Sequence, residues 1–174
     1  MADSDPYLVR PAVAADAATL VALTAALAAF HGKPGAASVT VADVLRDGFG
    51  ERPLIWFWLA EERATGRAVG YVQLCQGYAA WLGRPTLVVN NLYVDAAIRG
   101  AGLGRRLMAA AAAFARGQGI ERLELHVVDW NPARRFYEAM GFQVMKDFRC
   151  RIDREALDRL AAGASAAASL PTGA

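Results

Sequence analysis

The chain has 174 residues, 55% of them hydrophobic, and nineteen basic against seventeen acidic side chains for a net charge of +2. That length suits one domain with a core of ordinary size, and so balanced a charge excludes a protein held to nucleic acid by phosphate neutralisation. Alanine inflates the hydrophobic share, and the longest apolar stretches are broken by Asp16, Lys33 and Arg116, so no membrane span is expected. The N-terminal Met-Ala-Asp-Ser-Asp-Pro is too acidic for a secretory signal, which points to a cytoplasmic protein. His31 and His126 are isolated, and Cys75 and Cys150 lie apart in apparent strands, so no metal site is written. The two thiols read as buried and free.

Tyr7 to Arg10 predicts a short strand ended by Pro11. From Ala14 to Phe30, the residues Leu20, Leu23, Leu27 and Phe30 recur at helical spacing on one face, and the run from His31 to Gly35 stops the helix. Thr40 and Asp43 form a variant of the capping box, opening a short helix that ends near Gly48. Ile55 to Glu61 and Ala68 to Gly77 predict two strands joined across Thr65-Gly66. Tyr78 to Pro85 reads as loop, carrying the exposed aromatics Tyr78 and Trp81. Thr86 to Val94 predicts a strand, Gly102 to Arg116 a helix with Leu103, Leu107, Ala111 and Phe114 inward, and Leu123 to Val128 a further strand.

Pro132 to Met140 predicts a helix with proline in its first turn and Gly141 as its stop. Phe142 to Lys146 and Phe148 to Ile152 would add two strands, and Asp153 would cap a closing helix through Leu160. Residues 1–160 then make a single domain, followed by a disordered Ala/Ser/Gly-rich tail over 161–174. The order is that of an α/β sandwich with a mixed sheet, in which Thr86 to Val128 forms a right-handed parallel crossover.

The chemistry concentrates between that strand and its helix, in Arg99-Gly100-Ala101-Gly102-Leu103-Gly104-Arg105-Arg106. Glycines there let backbone N–H groups approach a ligand without Cβ atoms in the way, and the helix adds unpaired N–H groups and the positive end of its dipole. Such a turn suits an anion, above all a pyrophosphate. A dinucleotide fingerprint would need glycine at Arg105, and a P-loop would need Gly-Lys-Ser/Thr; neither is present.

The spacing Arg99-x-x-Gly102-x-Gly104 resembles the acyl-coenzyme A loop of the GNAT superfamily of N-acetyltransferases, and the order of elements from Tyr7 to Leu160 is similar as well. Within it the chain is most similar to the diamine (spermidine/spermine and thialysine) acetyltransferases. Three segments carry this likeness, spanning Asp43 to Pro53, Tyr78 to Pro85 and Val128 to Tyr137. The resemblance implies a GNAT-type sandwich whose mixed sheet is splayed at its centre and flanked by helices. It implies acetyl-coenzyme A as co-substrate, a small-molecule amine as acceptor, and a homodimer. Leu92, Tyr93 and Val94 would lend backbone groups to the pantetheine arm. Arg99, Gly100, Ala101, Gly102, Leu103, Gly104 and Arg105 would hold the pyrophosphate, and Asn131 would contact the cofactor. Tyr137 would protonate the departing thiolate.

Each role has a plainer counterpart: Asn131 before Pro132 suits a helix cap, Tyr137 a core aromatic, and His126 a satisfied core histidine. Where the diamine group has acidic residues ahead of the loop, this chain has Asn90 and Asn91. An amide orients an amine or a water but takes no proton and neutralises no polycation. Asn90, His31 and His126 are the candidate acceptor-side residues. The apolar strand Ile55 to Leu59 offers two faces to cover, which a dimer interface or two helical layers would each satisfy.

Overall fold

The computed structural model describes residues 5–128, 131–145 and 156–158, which fall into two compact units divided after Arg134. In the first unit, β1 (Tyr7–Pro11), β2 (Ile55–Glu62), β3 (Ala68–Ala79), β4 (Arg84–Val94) and β5 (Leu123–Leu125) form one sheet in that order. The first four pair antiparallel, and β5 lies parallel to β4. Helices α1 (Ala17–Phe30) and α2 (Val41–Phe49) precede β2, and α3 (Leu103–Gly117) makes the crossover from β4 to β5. The mixed, helix-flanked sheet is the expected α/β architecture.

Strand alternation assigns the two layers. Phe57 and Leu59 of β2 join Ala17, Leu20, Val44 and Tyr71 in the core beneath α1 and α2. Trp56 and Trp58 turn the other way, onto Phe114 of α3, with ring centroids 5.5 and 4.9 Å apart. Both faces of β2 are therefore covered within one chain, and the apolar strand supplies no argument for a dimer. Each fully buried leucine, such as Leu20, Leu59 or Leu107, contributes about 2 kcal/mol.

The α2 cap forms as expected: Asp43 N donates to Thr40 Oγ1 at 3.2 Å, and Thr40 N donates to Asp43 Oδ2 at 3.0 Å. Ahead of α1, residues Ala14–Asp16 form a separate 3-10 turn. There Arg10 of β1 pairs with Asp16 at 2.7 Å and with Glu61 of β2 at 2.9 Å. The hydrogen bond from Arg10 holds the Asp16 carboxyl below the usual carboxylate range.

Several expectations need correction. Phe30 is 43% exposed, because it ends α1 beyond the core face that Leu20 anchors. The segment 78–85 is mostly hairpin, not loop: Tyr78 pairs with Pro85 and Ala79 with Arg84 around a 3-10 turn at Ala80–Leu82. Pro85 is tolerated because Leu87, two residues on, points its N–H at Arg122 O, away from β3; the missing proline N–H belongs to that same edge. Tyr78 and Trp81 are exposed, as expected. Cys75 is half-buried rather than buried.

Strand β5 stops at Leu125 instead of Val128, because its partner β4 is bulged at the next position. His126 thus lies past the ladder and is exposed, not a core histidine on a strand. Phe142–Met145 form no strand; they follow α4 (Ala133–Glu138). Gly141 N donates to Glu138 O and Phe142 N to Tyr137 O, with Gly141 at φ +92°, so Gly141 is the left-handed stop that the sequence suggested. The strand 148–152, the cap at Asp153, Cys150 and the tail lie outside the described residues; 156–158 are helical.

Candidate active site

At the end of β4, Asp95 accepts from Ala97 N at 3.2 Å and opens a short 3-10 turn, Ala96–Ile98. Gly100 and Gly102 follow at φ +96° and +77°, a conformation that only glycine adopts without strain. A Cβ at either would meet nothing within 4 Å. These glycines therefore serve the backbone twist and the open space before it rather than internal packing. The helical ladder of α3 begins with Arg106 N donating to Gly102 O at 3.1 Å, so the N–H groups of Leu103, Gly104 and Arg105 have no helix carbonyl to meet.

The three arginines of this segment do different things. Arg106 pairs with Asp5 at 2.7 Å and donates to Tyr7 O, tying α3 to the start of β1. Arg99 donates from Nε to Val94 O at 3.1 Å and lays its guanidinium 4.2 Å from the centroid of the Phe30 ring. Arg105 is exposed and makes no hydrogen bond or ion pair among the described residues.

The register between β3 and β4 jumps from Gln73↔Asn91 to Leu74↔Val89, leaving Asn90 as the extra residue of a β-bulge. The consequence is a change of face. Asn91 lies opposite Gln73 and donates to its Oε1 at 2.6 Å, while Asn90 donates from Nδ2 to Cys75 Sγ at 3.3 Å. Gln73 and Cys75 share one face of β3, so the bulge turns two consecutive asparagines to the same side, that of α1 and α2. There Asn91 also bonds the Tyr71 hydroxyl, which sits 3.0 Å from Thr24 Oγ1 of α1. Burial pushes Tyr71 up to about 12, so it is a fixed neutral partner. The Oδ1 of Asn90 accepts no bond among the described residues.

Gln73, Cys75, Tyr71 and Thr24 escaped the sequence reading. The signal was available in the alternation Tyr71-x-Gln73-x-Cys75, which sets polar atoms on one face of an otherwise apolar strand. His31 follows α1 and stacks edge-on against Phe30, with centroids 5.6 Å apart. Asn131 Oδ1 accepts from Ala133 N at 2.9 Å, so it caps α4 and keeps its Nδ2 for another partner. In the second unit, Tyr137 is half-buried between Phe136 and Phe142, at centroid distances of 5.2 and 5.8 Å, and burial raises its pKa. Leu92, Tyr93 and Val94 continue β4 past Val89, its last residue paired with β5.

The glycine turn thus opens α3 beside a bulged strand whose pairing with β5 ends at Val89. The sequence matches the acetyltransferase (GNAT) family over residues 25–142, and the chain belongs to that family. It is 31% identical over 143 residues to the human spermidine/spermine N(1)-acetyltransferase-like protein 1, a match covering 79% of this chain and 20% of that protein. The chain thus spans about a fifth of that relative's length. Bovine thialysine N-epsilon-acetyltransferase is 29% identical over 165 residues, covering 88% of this chain and 96% of its own. These relatives bear out the resemblance to the diamine group. Among solved structures, an integron cassette protein from V. cholerae superposes with a TM-score of 0.73 at 20% identity, over 90% of this chain and 98% of that one, a likeness of fold. Among the described residues, no group of histidine, cysteine and carboxylate side chains stands ready for a metal, and no helix is long and apolar enough to cross a membrane.

Proposed function

We propose that the protein transfers an acetyl group from acetyl-coenzyme A to the primary amine of a small molecule by direct attack. The turn after β4 carries this reading. Its left-handed glycines, N–H groups and the Arg105 guanidinium, which have no bonding partner among the described residues, suit a diphosphate. The unpaired edge of β4 through Leu92, Tyr93 and Val94 suits the amide-bearing pantetheine arm, and Asn131 Nδ2 offers one more donor.

Acetyl-coenzyme A would supply the thioester. The acceptor would lie on the face under α1 and α2, where Asn90 Oδ1 takes an amine N–H and His31 lines the approach. An alkylamine has an ordinary pKa of about 10, so it must shed a proton to water before attack. Asn90 is placed to orient that water, and His126, exposed past β5, stands in contact with solvent. As nitrogen bonds to the carbonyl carbon, the oxygen gains charge, and a backbone N–H beside the bulge would meet it. As the C–S bond breaks, the sulfur would take a proton from the Tyr137 hydroxyl, and the nitrogen would give up its second proton to water, from which the tyrosine would be reprotonated. Burial raises the pKa of that hydroxyl and keeps it protonated at neutral pH.

Asn90 and Asn91 favour an acceptor with one cationic centre, such as an amino acid-like amine, over a polyamine; an aminoglycoside is the alternative acceptor. The test is consumption of acetyl-coenzyme A against diamines, lysine analogues, amino acids and aminoglycosides. Turnover with an acetylated amine seen by mass spectrometry is expected. Tight coenzyme A binding with no turnover on any amine would instead mark a non-catalytic acyl-coenzyme A-binding protein.

A further inference from the structure

We infer that Gln73 of β3 is a specificity-determining residue of the acceptor side, offering its amide N–H groups to an oxygen of the acceptor, a carboxylate above all. The order of hydrogens along one hydrogen-bond chain carries this. Thr24 Oγ1 has a single hydrogen and donates it to Leu20 O, inside α1, at 2.8 Å. At its 3.0 Å contact with Tyr71 it therefore accepts, and the phenol gives its one hydrogen. Tyr71 keeps that hydrogen, because burial pushes the phenol up to about 12. The phenol oxygen is left to accept from its other partner, so Asn91 faces it with Nδ2. The same Nδ2 donates to Gln73 Oε1 at 2.6 Å, which turns the two donors of Gln73 Nε2 away from the chain.

Gln73 is half-buried, and its Nε2 bonds no atom among the described residues. The nitrogen is not sealed in, since no buried side-chain nitrogen or oxygen lacks a partner among those residues. Its donors therefore remain open to whatever occupies that face of the sheet. Cys75, the residue that Asn90 bonds, lies two positions further along the same face, about 7 Å away along the strand. An amine held at Asn90 Oδ1 and an oxygen held at Gln73 Nε2 would thus be parted by a short aliphatic chain. A plain alkylamine would leave the Gln73 donors to water, and a polyamine would set an ammonium group against them.

This inference rests on the reading of the α1–α2 face as the acceptor side, so one of its two readouts needs no turnover. In proton–nitrogen correlation spectra of the protein saturated with coenzyme A, Gln73→Glu and Asn91→Asp identify the two side-chain amides. The Asn91 hydrogens, both engaged, are expected to exchange with water at least about tenfold more slowly than those of Gln73. Faster exchange at Asn91 would reverse the chain and overturn the proposal. Adding δ-aminovalerate should shift the Gln73 pair, while pentylamine, of equal carbon count, should not; a pair indifferent to the carboxylate overturns the proposal. In steady-state kinetics, δ-aminovalerate is expected to exceed pentylamine in kcat/KM by at least about tenfold. Gln73→Glu still accepts from Asn91 and changes only the outward group. It should reverse that preference while holding coenzyme A affinity within about threefold of wild type. Gln73→Met, of similar length with neither amide atom, should abolish the preference without reversing it. A preference that survives both substitutions overturns the proposal. Amines turned over with no gain from the carboxylate would remove Gln73 from recognition and leave the proposed reaction standing. No turnover of any amine, with the Gln73 pair still shifted by δ-aminovalerate, would instead count against the reaction and keep Gln73 as an oxygen-binding residue.

Discussion

Gly102 shows how a single backbone angle concentrates function. At φ +77° an L side chain costs about 1–2 kcal/mol, yet its Cβ would find open space inside the protein. The steric demand comes from outside, from whatever approaches the turn. Gly102→Val is therefore expected to stay folded but lose at least about tenfold in acetyl-coenzyme A affinity, some 1.4 kcal/mol, by calorimetry. Unchanged binding in the folded variant would remove the turn from the cofactor site. Tyr137 poses the opposite question, because its ring already has a structural task against Phe142 at the end of α4. Tyr137→Phe keeps that packing and deletes only the hydroxyl, so a general acid predicts about a hundredfold fall in kcat with coenzyme A affinity intact. A wild-type rate would leave Tyr137 as a packing residue alone. The glycines were legible in the sequence because no other residue holds such angles. The separate fates of Arg99 and Arg106 were not, since each depends on a partner distant in the chain, Phe30 for the one and Asp5 with Tyr7 for the other.

Elements follow local signals closely and fail where a distant partner decides. The Thr40–Asp43 cap and the Gly141 stop are closed by residues within five positions, so the sequence contained both. Helix α1 has no charged residue between Ala17 and Phe30, so its apolar spacing left the buried face ambiguous, and Phe30 was drawn into a core it does not reach. The end of β5 was illegible for a different reason: it is set by the bulge at Asn90 on the neighbouring strand. The clamp of Arg10 on Asp16 and Glu61 joins β1, the turn before α1, and β2 across 51 residues of sequence. Because the Asp16 carboxyl titrates lower in the folded protein than in the unfolded chain, its contribution is complete above the unfolded value of about 4 and is lost as pH falls through the lower folded value. Asp16→Asn should accordingly cost about 1–2 kcal/mol at pH 7, with the gap to wild type closing in strong acid. Denaturant titrations at the two pH values decide it, and a gap that persists at low pH would mean the carboxylate charge is not what holds the clamp.

At the scale of the whole molecule, the sheet separates two tasks. The α3 side and the end of β4 present the glycine turn, while the α1–α2 side presents the paired amides, and the bulge at Asn90 joins the two. The family's architecture was legible because element order survives in the hydrophobic pattern. The proposed acceptor side was not, because it draws on residues from α1, β3 and β4 that meet only in the folded chain. The charge of that side is nonetheless plain. Helix α1 contributes no carboxylate, and the α2 carboxylates nearest in sequence, Asp43 and Asp47, are committed to Arg46 at 3.0 and 2.7 Å. A second or third ammonium group of a polyamine would find no counter-charge at Asn90 or Asn91. Loss of one close charge partner in a partly desolvated site is worth about 2 kcal/mol, or about thirtyfold in discrimination. Spermidine and spermine are therefore expected to be poor acceptors beside a monoamine or amino acid-like amine. Asn90→Glu places a carboxylate on the same bulge, where it should raise kcat/KM for spermidine and lower it for the better wild-type acceptor. Steady-state kinetics on both proteins with both acceptors reads the exchange directly. Efficient use of spermidine by the wild type would show that a polyamine finds its anionic partner elsewhere, and that the two asparagines serve the β3–β4 contact alone.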